Sequence, residues 1–148
     1  MSETELAWAA GFYDGEGNFH IGKRKRWKRV MLTIAQTEPT NLHRFAAAVG
    51  DGHVRGPYRV GTNPRWKPAY YWSVEGPVRC ADVLDKLWPY LGEPKRQQVE
   101  RIVEAWEKYQ LSLQHGNLTS VDGPLYDVVT DFPDGSGGSR TKYLRRTE

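Results

Sequence analysis

The spacing of hydrophobic residues changes several times along the chain, and each change predicts a new element. Residues 6–13 carry apolar side chains at helical spacing, and Ser2 with Glu5 three positions later forms a capping box that starts this helix. Residues 18–22 and 29–35 instead alternate between apolar and polar side chains. Because alternation is typical of half-buried strands, these two segments predict a β-hairpin.

A second helix and a second hairpin follow. Apolar residues recur at helical spacing over residues 42–49, after a predicted N-cap at Thr37 and before Gly50, which predicts the end of the helix. Residues 53–59 and 69–74 then have strand composition and are separated by a loop rich in Gly, Asn and Pro. They predict a second hairpin with a long connection.

Two more helices and a tail complete the chain. Residues 78–88 predict a third helix, and a fourth begins at Pro94 with its own apolar stripe. The order of elements is therefore α-ββ-α-ββ-α-α, which is typical of an α+β fold. Residues 1–113 are predicted to form one domain, whereas residues 114–148 are rich in Gly, Ser and Asp and predict a mostly irregular tail.

One face of the first helix has almost no side-chain bulk. Ala7, Ala10, Gly11 and Asp14 fall three or four residues apart, so they lie on the same side of the helix. Small residues at this spacing allow a second backbone to approach closely. We therefore expect this face to pack against another helix.

Two carboxylates stand at the end of the same helix. Asp14 and Glu16 lie where the helix dipole is negative, so their position is locally unfavourable. Acids that converge at such a place either share a proton or hold a cation such as Mg²⁺. The alternative is an ordinary helix end with two solvated acids. Gly15 and Gly17 predict a sharp exit from the helix with positive φ.

Composition narrows the classes of function. Cys80 is the only cysteine, which excludes an intramolecular disulfide and a cysteine metal cluster. The four histidines lack the spacing of a zinc site, and no Walker loop, dinucleotide fingerprint or serine-hydrolase elbow occurs. The sequence has neither a membrane-length apolar run nor a signal-peptide pattern, so an intracellular location is expected.

Positive charge is concentrated around the two predicted hairpins. The net charge of the chain is +3, yet residues 23–67 hold eleven basic and two acidic side chains, a net charge of +9. Six of the seven residues from Lys23 to Arg29 are basic, and Trp27 interrupts the run. A solvated turn is one explanation, and contact with the phosphates of a polyanion is the one we favour.

The segment AGFYDGEG, residues 10–17, resembles the signature motif of the LAGLIDADG homing endonucleases. The resemblance extends over about residues 4–110. It implies an α+β fold in which two hairpins form a curved antiparallel sheet backed by helices. Because the sequence contains a single motif of this kind, the resemblance also implies a homodimer that packs through the face of Ala7, Ala10, Gly11 and Asp14.

The resemblance further implies a metal-dependent endonuclease that hydrolyses phosphodiesters of double-stranded DNA at a long near-palindromic site and leaves 3′ overhangs. The cofactor would be Mg²⁺, with Mn²⁺ or Ca²⁺ able to replace it for binding, and the gene would be associated with an intron or intein. The DNA contacts would come from the basic hairpins and would comprise Lys23, Arg24, Lys25, Arg26, Trp27, Lys28, Arg29, Arg55, Arg59, Arg65 and Lys67.

The resemblance assigns metal binding to the end of the motif. Glu16 would be the direct ligand, helped by the backbone carbonyl of Gly15. Asp14 would orient the motif turn, with a further metal ligand as its alternative role.

Two catalytic residues outside the motif are implied in the same way. Gln36, at the end of the second strand, would hold solvent at the metal site. Lys95, near the start of the fourth helix, would support the charge of the transition state, and Arg96 is the alternative at that position.

Two other functions are compatible with the sequence. One is a DNA-binding regulator or RNA-binding intron splicing cofactor of the same fold that has lost cleavage, against which the intact Asp14 and Glu16 speak. The other is a general RNA-binding α+β domain that uses the basic hairpin.

Overall fold

The computed structural model describes residues 2–115, and Met1 and residues 116–148 lie outside the described part. Its elements are α1 (Glu3–Glu16), β1 (Gly17–Arg24), β2 (Trp27–Gln36), α2 (Thr40–Val49), β3 (His53–Tyr58), β4 (Ala69–Glu75), α3 (Pro77–Leu87), a 3₁₀ turn (Trp88–Tyr90) and α4 (Glu93–His115). This order confirms the predicted α+β arrangement. The predicted tail, residues 114–148, falls almost entirely outside the described residues.

The four strands form one antiparallel sheet with the order β1-β2-β4-β3. Along β2, Val30, Leu32 and Ile34 are buried while the residues between them are not, so the helices cover one sheet face only. The uncovered side is called the open face. Its strand residues include Asn18, His20, Arg29, Met31, Thr33, His53, Arg55, Tyr71, Ser73 and Glu75.

The core lies between the covered sheet face and the helices. Phe45 of α2 meets Trp72 of β4 edge to face, with ring centroids 4.6 Å apart, and both rings are fully buried. The other helices contribute the buried residues Ala9, Ala10, Tyr13, Cys80, Ala81, Val83, Leu84, Leu87, Val99, Val103 and Trp106. Among residues 2–115, the structure contains no helix with the length and apolar character that crossing a membrane requires.

The start of α2 differs from the prediction. Thr37 is not the N-cap, because α2 begins at Thr40 after Pro39. The Glu38 carboxylate accepts hydrogen bonds from the backbone N–H of Thr40 at 3.1 Å and from its hydroxyl at 2.7 Å, so an acid does the capping. At the other end, Gly50 adopts φ 73° and ends the helix as predicted.

The exit from α1 also differs from the prediction. Gly17 has φ −83° and ψ 154°, which is extended backbone rather than the expected positive φ. A Cβ at this position would lie 2.1 Å from Cδ1 of Tyr13. Glycine is therefore needed at residue 17 because the Tyr13 ring lies against the backbone there, and not because the chain turns left-handed.

Candidate functional site

The end of α1 is joined to the start of α4 by residues far apart in the sequence. The backbone N–H of Gly92 donates to Oδ2 of Asp14 at 3.0 Å, and the carbonyl of Gly92 accepts from the N–H of Arg96 at 3.0 Å. The Asp14 carboxylate thus lies at the positive end of the α4 dipole, where a negative charge is favourable. This contact fixes the first turn of α4 beside the motif.

Lys95 lies in that first turn, and its side chain reaches the end of α1. Its Nζ donates to the carbonyl oxygen of Gly17 at 2.9 Å and to Oε1 of Gln98 at 3.1 Å. The same nitrogen is 5.4 Å from the ring centroid of Tyr13, within cation–π range. Three separate partners therefore hold the ammonium at the helix end. Gln98 was not among the predicted site residues, and its spacing from Lys95 on α4 is the signal that points to it.

Arg96 and Gln36 are the two other candidate site residues outside the motif. Arg96 donates from Nη2 to the carbonyl of Trp88 at 2.8 Å, so it is turned towards the 3₁₀ turn and Lys95 occupies the motif end. Gln36 is half-buried at the end of β2. Because Gly17 pairs with Ile34 in the antiparallel hairpin, β2 continues past that pair towards the last turn of α1, and Gln36 lies on that side.

The last turn of α1 exposes oxygen atoms that can act as metal ligands. Glu16 and Gly15 are exposed, and Asp14 is half-buried beside them. The Gly15 carbonyl belongs to the last turn, where helix carbonyls have no intrahelical donor. Residues 2–115 contain no group of three His, Cys, Asp or Glu that could hold a metal ion. These hard oxygen donors nevertheless fit Mg²⁺, which proteins often bind through one or two carboxylates together with substrate phosphates.

Tyr13 forms the buried floor of this site. Its ring is fully buried, and its hydroxyl has no hydrogen-bond partner among residues 2–115. Burial, with smaller effects of Cys80 and Asp14, raises the pKa of Tyr13 well above its usual value. The phenol is therefore neutral, and its ring supports Gly17 on one side and Lys95 on another.

The small-residue face of α1 is narrower than predicted. Ala7 and Gly11 are exposed, and a Cβ built at Gly11 would meet nothing within 4 Å. Ala10 is fully buried in the protomer's own core, and Asp14 is occupied with Gly92. The part of this face that is open to a second helix therefore consists of Ala7 and Gly11.

A row of neutral polar side chains crosses the open face of the sheet. Asn18 pairs with Thr33, Thr33 with Ser73, and Ser73 with His53, so the row runs through all four strands. Amide, hydroxyl and imidazole groups can donate and accept hydrogen bonds, which is the chemistry that reads base edges in a major groove. The predicted contacts omitted this row. The alternation of Asn18 with the buried Phe19 would have identified its first member.

Some predicted basic contacts lie on the open face or at its edge. Arg29 and Arg55 are residues of the open face. Lys25 and Arg26 form the tight turn between β1 and β2, where Lys25 has φ 54°. The Arg26 guanidinium carbon is 5.7 Å from the ring centroid of Trp27. The basic run is therefore made of two strand ends and a two-residue turn.

The remaining basic residues are divided between two other places. Lys23 pairs with Lys28 across the hairpin, and the Nζ of Lys28 lies 5.3 Å from the ring centroid of Tyr109 on α4. This pair is thus on the helix side of the sheet end. Arg24 pairs with Trp27 in the backbone ladder. The β3–β4 loop contributes three exposed basic residues, Arg59, Arg65 and Lys67.

Comparison with known proteins identifies solved structures with a similar fold. No family model and no curated protein matches the sequence. Among solved structures, the homing endonuclease I-CvuI in complex with the I-CreI target has a TM-score of 0.52 and 26% sequence identity, over 74% of this chain and 68% of that chain. An archaeal intron-encoded homing endonuclease complexed with DNA has a TM-score of 0.55 and 20% identity, over 75% and 73% of the two chains.

A third match spans more of the chain. The group I intron-encoded homing endonuclease I-CeuI, complexed with DNA, has a TM-score of 0.57 and 12% identity, over 97% of this chain and 77% of that chain. At identities of 20% and 12%, these last two likenesses concern the fold alone. Together with the architecture and the AGFYDGEG segment, the matches confirm the resemblance to the LAGLIDADG homing endonucleases and their α+β fold.

Proposed function

We propose that the protein is a site-specific, metal-dependent endonuclease that hydrolyses phosphodiesters of double-stranded DNA as a homodimer. The observation that carries this proposal is that the Nζ of Lys95 lies 2.9 Å from the carbonyl oxygen of Gly17, the residue that directly follows Gly15 and the exposed Glu16. Hydrolysis of a phosphodiester requires groups that hold a cation and groups that stabilise negative charge on the phosphate. The end of α1 supplies both kinds.

The open face is the proposed DNA-binding surface. It presents the polar row Asn18–Thr33–Ser73–His53 together with arginines, and basic turns and loops lie at its edges. Neutral polar groups suit base edges, whereas Lys and Arg suit phosphates. The structurally similar homing endonuclease I-CvuI is found in complex with DNA, which supports the same partner for this chain.

Glu16 and the Gly15 carbonyl are the proposed metal ligands, and Asp14 holds the turn through Gly92. When bound, Mg²⁺ would polarise the phosphate and lower the pKa of a water molecule at the site. I-CvuI has been studied with the I-CreI target in the presence of Mg, where the DNA was not cleaved, and with its own target in the presence of Ca, which supports a divalent cation. In this proposal Mn²⁺ or Ca²⁺ can replace Mg²⁺ for binding.

Lys95 is the proposed catalytic cation. An ammonium has three N–H donors, and the Gly17 carbonyl and the Gln98 amide oxygen accept two of them. The third is left to donate to a phosphate oxygen as negative charge builds up on it. Gln36, on the neighbouring strand end, would orient the attacking water through its amide.

The symmetry of the assembly sets the form of the substrate. Two protomers related by a twofold axis recognise a near-palindromic site, with one active site for each strand. Cleavage across a central minor groove would leave 3′ overhangs. Association with an intron or intein and an intracellular location belong to the same proposal.

The decisive experiment incubates the purified protein with a randomised duplex library and Mg²⁺ and sequences the cut ends. We expect cuts with staggered 3′ ends at one near-palindromic site. Glu16→Gln should bind the same duplex without cutting it. Glu3→Gln is the matched control, because it removes an exposed carboxylate at the other end of the same helix and should cut normally.

Other results would assign another function. Enrichment of duplexes without cleavage by the unmodified protein would indicate a DNA-binding regulator on an endonuclease fold. Preference for RNA over duplex DNA at the same salt concentration would indicate an RNA-binding protein or splicing cofactor.

A further inference from the structure

One carboxylate interrupts the basic and neutral surface of the open face. Glu75, at the end of β4, is the only acidic residue among the residues of β1–β4. Glu75 pairs with Met31 in the sheet. Arg29 comes two residues before Met31 in β2, on the same face, so it lies diagonally across from Glu75. Nη1 of Arg29 donates a hydrogen bond to Oε2 of Glu75.

Neither stability nor general DNA affinity accounts for this acid. The two side chains retain 32% and 43% of their accessible surface, and ion pairs this exposed add little to the stability of a fold. On a surface that faces phosphates, a carboxylate also repels the ligand and cancels the charge of its arginine. Glu75 therefore weakens non-specific binding at the place where it lies.

The contact instead fixes the orientation of Arg29. A guanidinium is planar, and it reads guanine by donating two parallel hydrogen bonds to O6 and N7. The bond to Glu75 engages Nη1 and leaves Nε and Nη2 free to donate to a base, so it favours one orientation of the guanidinium before DNA arrives. A phosphate can also be bound by a point charge such as an ammonium, so a phosphate contact depends less on this restraint than a guanine contact does.

Arg55 provides the comparison within the same sheet. It lies on the open face opposite Tyr71 and is exposed, and no ion pair joins it to another residue of the described part. Its side chain is free to follow a phosphate. Arg29 and Arg55 thus allow a comparison between an arginine that contacts an acid and one that does not.

We propose that Arg29 is a specificity-determining residue that reads a guanine in each half-site, and that Glu75 is the positioning residue that orients it. The proposal rests on the proposed DNA binding and adds which side chain reads a base. It does not depend on cleavage. Twofold symmetry places the guanine at equivalent positions in the two half-sites.

The test is selection of bound duplexes from a randomised library by the full chain in Ca²⁺, followed by affinities at two salt concentrations. R29A and E75Q should both lose a guanine preference of about tenfold or more at the same position of each half-site. E75Q should also bind a scrambled duplex more tightly than the unmodified protein, because it removes a negative charge. R55A should weaken binding to all duplexes alike and reduce the salt dependence.

R29K provides a second route that does not disturb the charge of the pair. It should bind the scrambled duplex as the unmodified protein does but lose the guanine preference, because an ammonium lacks the planar pair of donors. If E75Q, or R29K, keeps the guanine preference, Glu75 does not orient a base-reading arginine. Failure of the unmodified protein to bind any duplex would overturn the proposed function itself, a result distinct from binding with unchanged base preference.

Discussion

Tyr13 has an unusual combination of properties for a residue of a functional motif. It is fully buried, it lies under Lys95 and against Gly17, and its hydroxyl has no partner among residues 2–115. A buried hydroxyl without a hydrogen bond costs free energy that a phenyl ring avoids. The ring, and not the hydroxyl, is what the site uses.

Tyr13→Phe should therefore raise the free energy of unfolding by about 1 kcal/mol, because the desolvated hydroxyl is removed and the ring is kept. Tyr13→Ala should lower it by about 3–5 kcal/mol through the cavity it creates. Urea denaturation followed by tryptophan fluorescence measures both. A loss of stability in Tyr13→Phe would mean that the hydroxyl has a partner, such as a water molecule.

Two buried groups that can lose a proton, the Cys80 thiol and the Tyr13 phenol, make the stability of the fold sensitive to alkaline pH. Burial raises the pKa of the Cys80 thiol to about 12 and that of Tyr13 above its usual range. In the unfolded chain these groups lose their protons from about pH 8.5 and about pH 10. Because the folded state keeps protons that the unfolded state releases, the stability present below about pH 8.5 should decline as the pH rises towards 12.

Denaturation curves at one-unit steps from pH 8 to pH 11 check this dependence. Each group adds a slope of at most about 1.4 kcal/mol per pH unit. Cys80→Ala should be less stable at pH 8, because it leaves a small cavity, but its stability should fall less steeply with pH. Identical slopes for the two proteins would show that the thiol does not contribute.

At the scale of elements, the hairpins were predictable and the contacts between distant elements were not. Alternation of apolar residues is a local signal, and the buried Val30, Leu32 and Ile34 follow it. Asp14 and Gly92, by contrast, are 78 residues apart, and Arg29 and Glu75 are 46 residues apart. Local periodicity carries no information about such pairs, so the sequence indicated Lys95 only through the resemblance.

The end of α1 also shows features that local sequence patterns do not predict. A positive φ at Gly17 was predicted from turn chemistry, yet its backbone is extended and its role is to make room for Tyr13. Likewise, the spacing of small residues placed Ala10 on an outward face, whereas the core of the protomer encloses it. Sequence spacing defines a face of a helix, but only packing decides which part of that face is covered.

The hydrogen bond from Gly92 to Asp14, between α1 and α4, should stabilise the fold about as much as one helix cap does. Asp14→Ala leaves the N–H of Gly92 without its acceptor and should lower the free energy of unfolding by about 1 kcal/mol. Asp14→Asn keeps a carbonyl oxygen and should recover most of that loss. Asp82→Ala, an exposed acid on α3, is the control and should have little effect.

Chemical denaturation of the three variants distinguishes a cap from a residue without a structural role. Equal stability of Asp14→Ala and the control would show that Gly92 finds another acceptor. If Asp14→Asn is as stable as the unmodified protein but no longer cuts DNA, its carboxylate serves the metal site in addition to the cap.

At the scale of the whole molecule, one protomer presents half of what the proposed reaction needs. Its oxygen donors lie at the end of α1, and residues 2–115 contain no third acid, His or Cys beside them to complete a metal site. Its exposed small residues, Ala7 and Gly11, lie on the same helix. A second copy docked on this face would bring two motif ends together under one DNA duplex, with one for each strand.

Gly11→Leu should therefore produce a folded monomer. A Cβ at residue 11 meets nothing within 4 Å in the protomer and the position is exposed, so the fold should tolerate a side chain there, whereas a partner backbone packed against the helix should not. Analytical ultracentrifugation at micromolar concentration should give twice the mass of the chain for the unmodified protein and for Ala47→Leu, an exposed position of α2. Gly11→Leu should give the mass of one chain, with unchanged far-UV circular dichroism and no double-strand cleavage. An unmodified protein that sediments as a monomer even with bound DNA, or a Gly11→Leu variant that still dimerises, would move the interface away from α1.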